Sequence, residues 1–199
     1  MKNIIYIHGK DGNIYEAEHY KKFFPNDKVF GFDYKAENIW EAIEEFPQFF
    51  KRRKNITIIA NSIGAFYAMH TLSENTNIDR AFFISPIVDM EEIILGLMKT
   101  ANVTEENLRD AKEIVTESGE KLSWEYLHYV RENPINWKVP THILCGEKDF
   151  LTSLETMKNF TEKIGASLTI MKGGEHWFHT PEQMDFLDNW LKNCLDSAE

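Results

Sequence analysis

The sequence predicts an α/β protein: a three-layer sandwich with a mostly parallel six-stranded sheet and a helical insertion. Three observations carry this. Short β-rich runs alternate with longer segments of helical period. Most of the runs lack in-out alternation, as strands buried on both faces should. One long interval, Pro86–Pro140, breaks the alternation, with no convincing strand and three helical patterns. At 199 residues the chain is expected to be a single domain over 1–199, with residues 86–140 inserted in it.

The expected strands are Asn3–Ile7, Lys28–Phe32, Ile56–Ala60, Arg80–Ser85, Thr141–Cys145 and Ser167–Met171. Between the first two, Ala17, Tyr20 and Phe24 form an amphipathic segment. Ile39, Trp40, Ile43 and Phe46 then keep helical spacing, which Pro47 is expected to disturb. Thr152-Ser-Leu-Glu155 and Thr180-Pro-Glu-Gln183 both fit a capping box, with Pro181 at a first helical position. Within the insertion three helical patterns follow one another: Ile93, Ile94, Leu97 and Met98; Leu108, Ala111 and Val115; and Trp124, Leu127 and Val130.

Composition narrows the function classes. Hydrophobic residues make up 43% and charged residues 27%, ordinary for a globular protein. A net charge of −10 provides no basic patch for phosphates, so no nucleic-acid partner is expected. The N-terminal apolar run is too short for a signal peptide or a membrane span, so no membrane partner is expected either. Cys145 and Cys194 are isolated and show no metal-type pairing, which suits a reducing cytoplasm.

The chemistry gathers at strand ends, where ligands bind in parallel α/β sheets. In "NITIIANSIGAF" a buried strand runs directly into a helix, with Ser62 at the corner and the small residues Ala60 and Gly64 beside it. This is a nucleophile-elbow pattern with alanine in the first glycine position. A helix-capping serine is the plain alternative. A serine nucleophile needs a base, and the base needs an orienting acid. His176 follows the last strand and two glycines, while His179, its competitor, sits just before a helix cap. Asp149 follows the fifth strand within a turn-like Gly-Glu-Lys-Asp, and Asp89, after the fourth, is its rival. The order Ser62, Asp149, His176 matches one known arrangement of such triads. For the oxyanion, the backbone N–H groups of Ile63 and Lys10 are the candidates, the latter in the glycine-bearing turn after the first strand. That turn carries neither a Walker pattern nor G-x-G-x-x-G.

Taken together, His8-Gly9, the Ser62 elbow, Gly146-Glu147-Lys148-Asp149 and Gly173-Gly174-Glu175-His176 resemble the α/β-hydrolase superfamily, specifically its small serine hydrolases with a helical cap. The resemblance covers almost the whole chain. It implies the α/β-hydrolase fold without the family's first two strands, and a spatial strand order of 2-1-3-4-5-6. It also implies hydrolysis of a carboxylic ester or related small-molecule acyl compound, with no cofactor and no metal. The insertion is expected to roof the substrate pocket, with Ile93, Ile94, Leu97, Met98 and Trp124 as wall candidates. Ala60 and Asn61 depart from the family pattern without removing a catalytic atom. A catalytically idle binding protein of the same fold, and thioesterase, amidase, peptidase or acyltransferase chemistry, stay open.

Overall fold

The structure, a computed structural model, describes residues 1–74 and 77–196. Its main sheet has six strands: β1 (Asn3–Ile7), β2 (Lys28–Gly31), β3 (Ile56–Asn61), β4 (Ile78–Ile84), β7 (Thr141–Gly146) and β8 (Ser167–Met171). They lie in the order β2-β1-β3-β4-β7-β8, with every neighbouring pair parallel. Counted within this sheet alone, that is the 2-1-3-4-5-6 order the sequence led us to expect. Burial follows position. Central β1 and β3 are buried along almost their whole length, while edge strands β2 and β8 are only partly so.

Side-chain alternation sends each strand's residues to two helical layers. On one face Ile4, Tyr6, Ile59, Phe82, Ile84 and Leu144 join Tyr20 of a 3-10 helix (Ile14–Phe23) and Leu187, Trp190 and Leu191 of α7 (Pro181–Asp196). The opposite layer holds α1 (Ile39–Phe50) and α2 (Ser62–Thr71), which meet where the rings of Phe46 and Tyr67 lie 6.0 Å apart. It is completed by α6 (Leu154–Ile164), which follows β7.

Pro47 does not end α1, which continues through it to Phe50. Phe46 and Phe50 are both fully buried, and that packing holds the last turn despite the missing N–H. The N-cap of α6 is Ser153 rather than Thr152, with the Ser153 hydroxyl accepting from the Thr156 N–H at 3.0 Å. At α7 the Thr180–Gln183 capping box is present, each side chain accepting from the other's backbone N–H at 3.3 Å.

The chain divides into two compact units, one made of Met1–Ile87 with Asn136–Glu199 and the other of Val88–Ile135. The second contains α3 (Met90–Thr100), α4 (Glu105–Ala111) and α5 (Trp124–Glu132). It also contains two strands the sequence reading missed, β5 (Glu113–Val115) and β6 (Lys121–Ser123), paired antiparallel. Val115, read as helical, therefore lies in a strand. Lys112 at φ +67° terminates the α4 stretch, and Gly119 at φ +88° makes the tight return between the two short strands. Arg131 ties this unit together, donating to Glu91 at 2.6 Å and to both Glu105 carboxylate oxygens at 2.7 and 2.8 Å.

Helix α2 also carries a titratable group. His70 packs against the Phe66 ring at 4.4 Å, and burial lowers its pKa from 6.5 to about 4. Its folded pKa lies below the unfolded one, so the unfolded chain takes up the proton first on acidification. Stability held at neutral pH should be lost between about pH 6.5 and 4, by an amount on the order of 2 kcal/mol. Urea midpoints across that range, with His70→Gln subtracting the carboxylate background, check this. An unchanged pH slope in the variant would exclude His70 as the source.

Candidate active site

Ser62 sits where β3 passes into α2, and its backbone adopts φ +50°, a strained conformation for any residue but glycine. The corner is tight because α2 starts against the end of β1. A Cβ on Gly64 would come within 2.3 Å of the His8 carbonyl oxygen, so only glycine fits there. Ala60 is fully buried, which explains why a small residue precedes the turn. Asn61 is the N-cap of α2 but makes no side-chain capping bond, so its amide is directed elsewhere.

The Ser62 hydroxyl lies 2.9 Å from His176 Nε2, and His176 Nδ1 lies 2.7 Å from Asp149 Oδ2. With Nδ1–H donating to the carboxylate, Nε2 is left to accept the serine proton. The Asp149 side chain is only 2% exposed. Its other oxygen accepts from the backbone N–H groups of Leu151 at 2.9 Å and Thr152 at 3.3 Å. The Thr152 N–H, which a capping box at 152 would give to Glu155, is thus taken up by the Asp149 turn.

The two loops that carry Asp149 and His176 are fastened directly to each other. Lys148 N–H donates to the Gly174 carbonyl at 2.8 Å, Glu147 N–H to the Met171 carbonyl at 2.9 Å, and Gly173 N–H to the Glu147 carboxylate at 2.8 Å. A Cβ on Gly146 would lie 2.4 Å from the Gly174 carbonyl oxygen and 2.5 Å from that of Glu175. Glycine at 146 is thus what lets the histidine loop rest on the end of β7.

A cleft of about 440 Å³ opens at Ser62, walled by Gly9, Lys10, Gly12, Glu16, Asn61 and Leu151 among others. The turn after β1 is held at its start by Tyr34, whose hydroxyl donates to the His8 carbonyl at 2.8 Å, and Lys10 borders the cleft. Ile63 is not a wall residue. Its N–H belongs to the first turn of α2, where donors have no intrahelical acceptor.

The two rival residues have other partners. His179 stacks on Trp177 at 4.3 Å, its Nδ1 lying 2.8 Å from the Trp177 carbonyl. Asp89 is the N-cap of α3 and accepts from the Glu92 N–H at 2.9 Å. The sequence reading missed Glu16, Leu151 and Trp177 as wall residues. Only Glu16 left a signal, since Asn13-x-x-Glu16 is a capping-box spacing and that box is formed.

Among the described residues, no cluster of His, Cys, Asp and Glu is grouped as metal ligands, and both cysteines are free thiols. No helix among them is long and apolar enough to cross a membrane.

Neither a protein-family profile nor any curated protein sequence matches the chain. Solved structures do. Alpha/beta hydrolase domain-containing protein 10 from mouse superposes with a TM-score of 0.76 at 12% identity, over 99% of this chain and 90% of that one. Est1E from Butyrivibrio proteoclasticus gives 0.74 at 19% identity, over 98% and 87%. A carboxylesterase structure from the thaumarchaeon Nitrososphaera gargenis gives 0.63 at 16% identity, over 98% and 92%. Near-complete coverage of both partners, at TM-scores of 0.63 to 0.76, leads to one conclusion: this chain has the α/β-hydrolase fold.

Proposed function

We propose that the protein is a serine hydrolase that cleaves a carboxylic ester or related small acyl compound through an acyl-enzyme on Ser62. The observation that carries this reading is the continuous hydrogen-bonded line from Ser62 through His176 to buried Asp149, set at a strained strand–helix corner. Hydrolytic names among proteins of the same fold agree with it.

In this reading His176 takes the Ser62 proton as the oxygen attacks the acyl carbon. The tetrahedral oxyanion is met by the Lys10 and Ile63 N–H groups. The protonated imidazole, its charge balanced by Asp149, gives the proton to the leaving oxygen. Water deprotonated by the same histidine then attacks the acyl-enzyme, and the acid leaves with Ser62 restored. The two free thiols fit work in a reducing compartment such as the cytoplasm.

A fluorophosphonate probe tests the reading. One equivalent should attach, with the mass increment on the peptide bearing Ser62. Absence of labelling in folded protein, together with no esterase activity, would favour a binding protein on the same scaffold. Hydrolysis of p-nitrophenyl butanoate separates the two histidines. His176→Ala should lose several orders of magnitude. His179→Ala should stay within about threefold of wild type, because its ring contacts Trp177 and not Ser62. A crippled His179→Ala with an active His176→Ala would exchange their roles.

A further inference from the structure

We propose that Glu16 selects the acyl group: its fixed carboxylate on the wall of the Ser62 cleft favours acyl chains bearing an ammonium or hydroxyl donor and disfavours those bearing an anion. The inference rests on Ser62 being the nucleophile, and concerns what that site accepts.

Glu16 is not a loose surface carboxylate. One oxygen accepts from the Asn13 N–H at 2.9 Å, and the other from the Tyr6 hydroxyl at 2.5 Å. Tyr6 is 2% exposed, and the side chain of Asn61, the residue before the nucleophile, lies near enough to act on its phenol. Burial, then the neighbouring Tyr20 and Glu16, raise the Tyr6 pKa well above its ordinary value, so the phenol stays protonated and donates. The loop wraps the carboxylate closely, since a Cβ on Gly12 would lie 2.9 Å from a Glu16 oxygen. Each carboxylate oxygen has a lone pair beyond the bond it already accepts. Glu16 therefore presents an oriented negative charge to the cleft while its own conformation is clamped.

Sheet order gives the charge its direction. β3 carries Ser62, β1 flanks it on one side, and β4, β7 and β8 lie on the other. His176 arrives from beyond β8 and must protonate the leaving oxygen, which places the leaving group toward His176. With the oxyanion on the Lys10 and Ile63 N–H groups, the remaining substituent of the reacting carbon lies in the cleft away from His176, where the turn after β1 forms part of the wall. That substituent is the acyl chain, and Gly12 and Glu16 lie on that side. Lys10 and Asp11 also border the cleft with opposite charges, which leaves Glu16 as the net contribution beside the His176–Asp149 pair. Like-charge apposition in such a cleft opposes binding, and an opposite charge favours it.

Glu16→Gln removes the charge and keeps the shape, because glutamine serves equally in a capping box: its carbonyl oxygen accepts from the Asn13 N–H and its NH₂ donates to the Tyr6 hydroxyl oxygen. Three p-nitrophenyl esters of similar length, corrected for spontaneous hydrolysis, read the effect: β-alanine (ammonium), butanoate (neutral) and hemisuccinate (carboxylate). Wild type should rank them in that order by kcat/KM. In Glu16→Gln the β-alanyl ester should fall about tenfold and the hemisuccinate should rise, while butanoate moves less than about threefold. An equal loss on all three would show a structural role only and overturn the proposal. A wild-type preference for the hemisuccinate would overturn it without any variant. Wild-type protein that labels with fluorophosphonate but shows no charge ranking defeats this inference alone. Protein that neither labels nor hydrolyses butanoate defeats the Ser62 reading, and this inference with it.

Discussion

Replacing Ser62 by alanine should abolish fluorophosphonate labelling and lower ester turnover by about 10⁵-fold or more, while the protein stays folded. The size follows from the way a triad works as a unit. In subtilisin, the template for this comparison, loss of the serine alone costs about as much as loss of all three members, about 10⁶ in kcat. What survives there is the contribution of the oxyanion donors and of substrate binding. Folding should be spared because Ser62 contributes one hydrogen bond to His176, and alanine leaves the elbow's packing in place. The positive φ at 62 is strained for either side chain. A melting temperature within a few degrees of wild type, beside a dead enzyme, is the expected pair of results. Turnover within tenfold of wild type in Ser62→Ala would remove this residue from the reaction.

Asp149→Asn should cost about 10⁴ in turnover, the figure for the corresponding change in the serine-protease template. The geometry here gives the reason. The Leu151 and Thr152 N–H groups require an acceptor at one terminal atom of residue 149. An asparagine places its carbonyl oxygen there, and its NH₂ then faces His176 Nδ1. The imidazole must accept at Nδ1 and carry its proton on Nε2, where it can no longer take the Ser62 proton. Asp89→Asn is the matched control. Asparagine caps a helix as well as aspartate does, so stability should shift by less than about 0.5 kcal/mol and turnover should hold. Initial rates and urea midpoints of both purified variants decide the matter, and the reverse ranking would assign the acid to Asp89.

Much of this molecule is legible in one dimension. β1 and β3 are near-continuous apolar runs, short and rich in β-branched residues, which reads as strands buried on both faces; their alternation with helical segments leads to a parallel sheet. Glycine was informative wherever backbone meets backbone, as at Gly64 against His8 and Gly146 against Gly174. Ser62, Asp149 and His176 were singled out because each follows a strand end, and parallel strands bring those ends to one edge. What the sequence could not supply is interaction among segments far apart along the chain. Pro47 reads as a helix breaker, yet Phe46 and Phe50 fix the helix through it, since burial outweighs one lost hydrogen bond. Val115 carries a helical spacing, but Lys112 and Gly119 turn that stretch into a hairpin by backbone conformations that periodicity does not encode. Glu16 shows in the sequence only as the capping-box partner of Asn13. It becomes a wall of the cleft only because β1 brings Tyr6 beneath it and β3 brings Asn61 alongside, contacts decided by strand register that no local pattern carries.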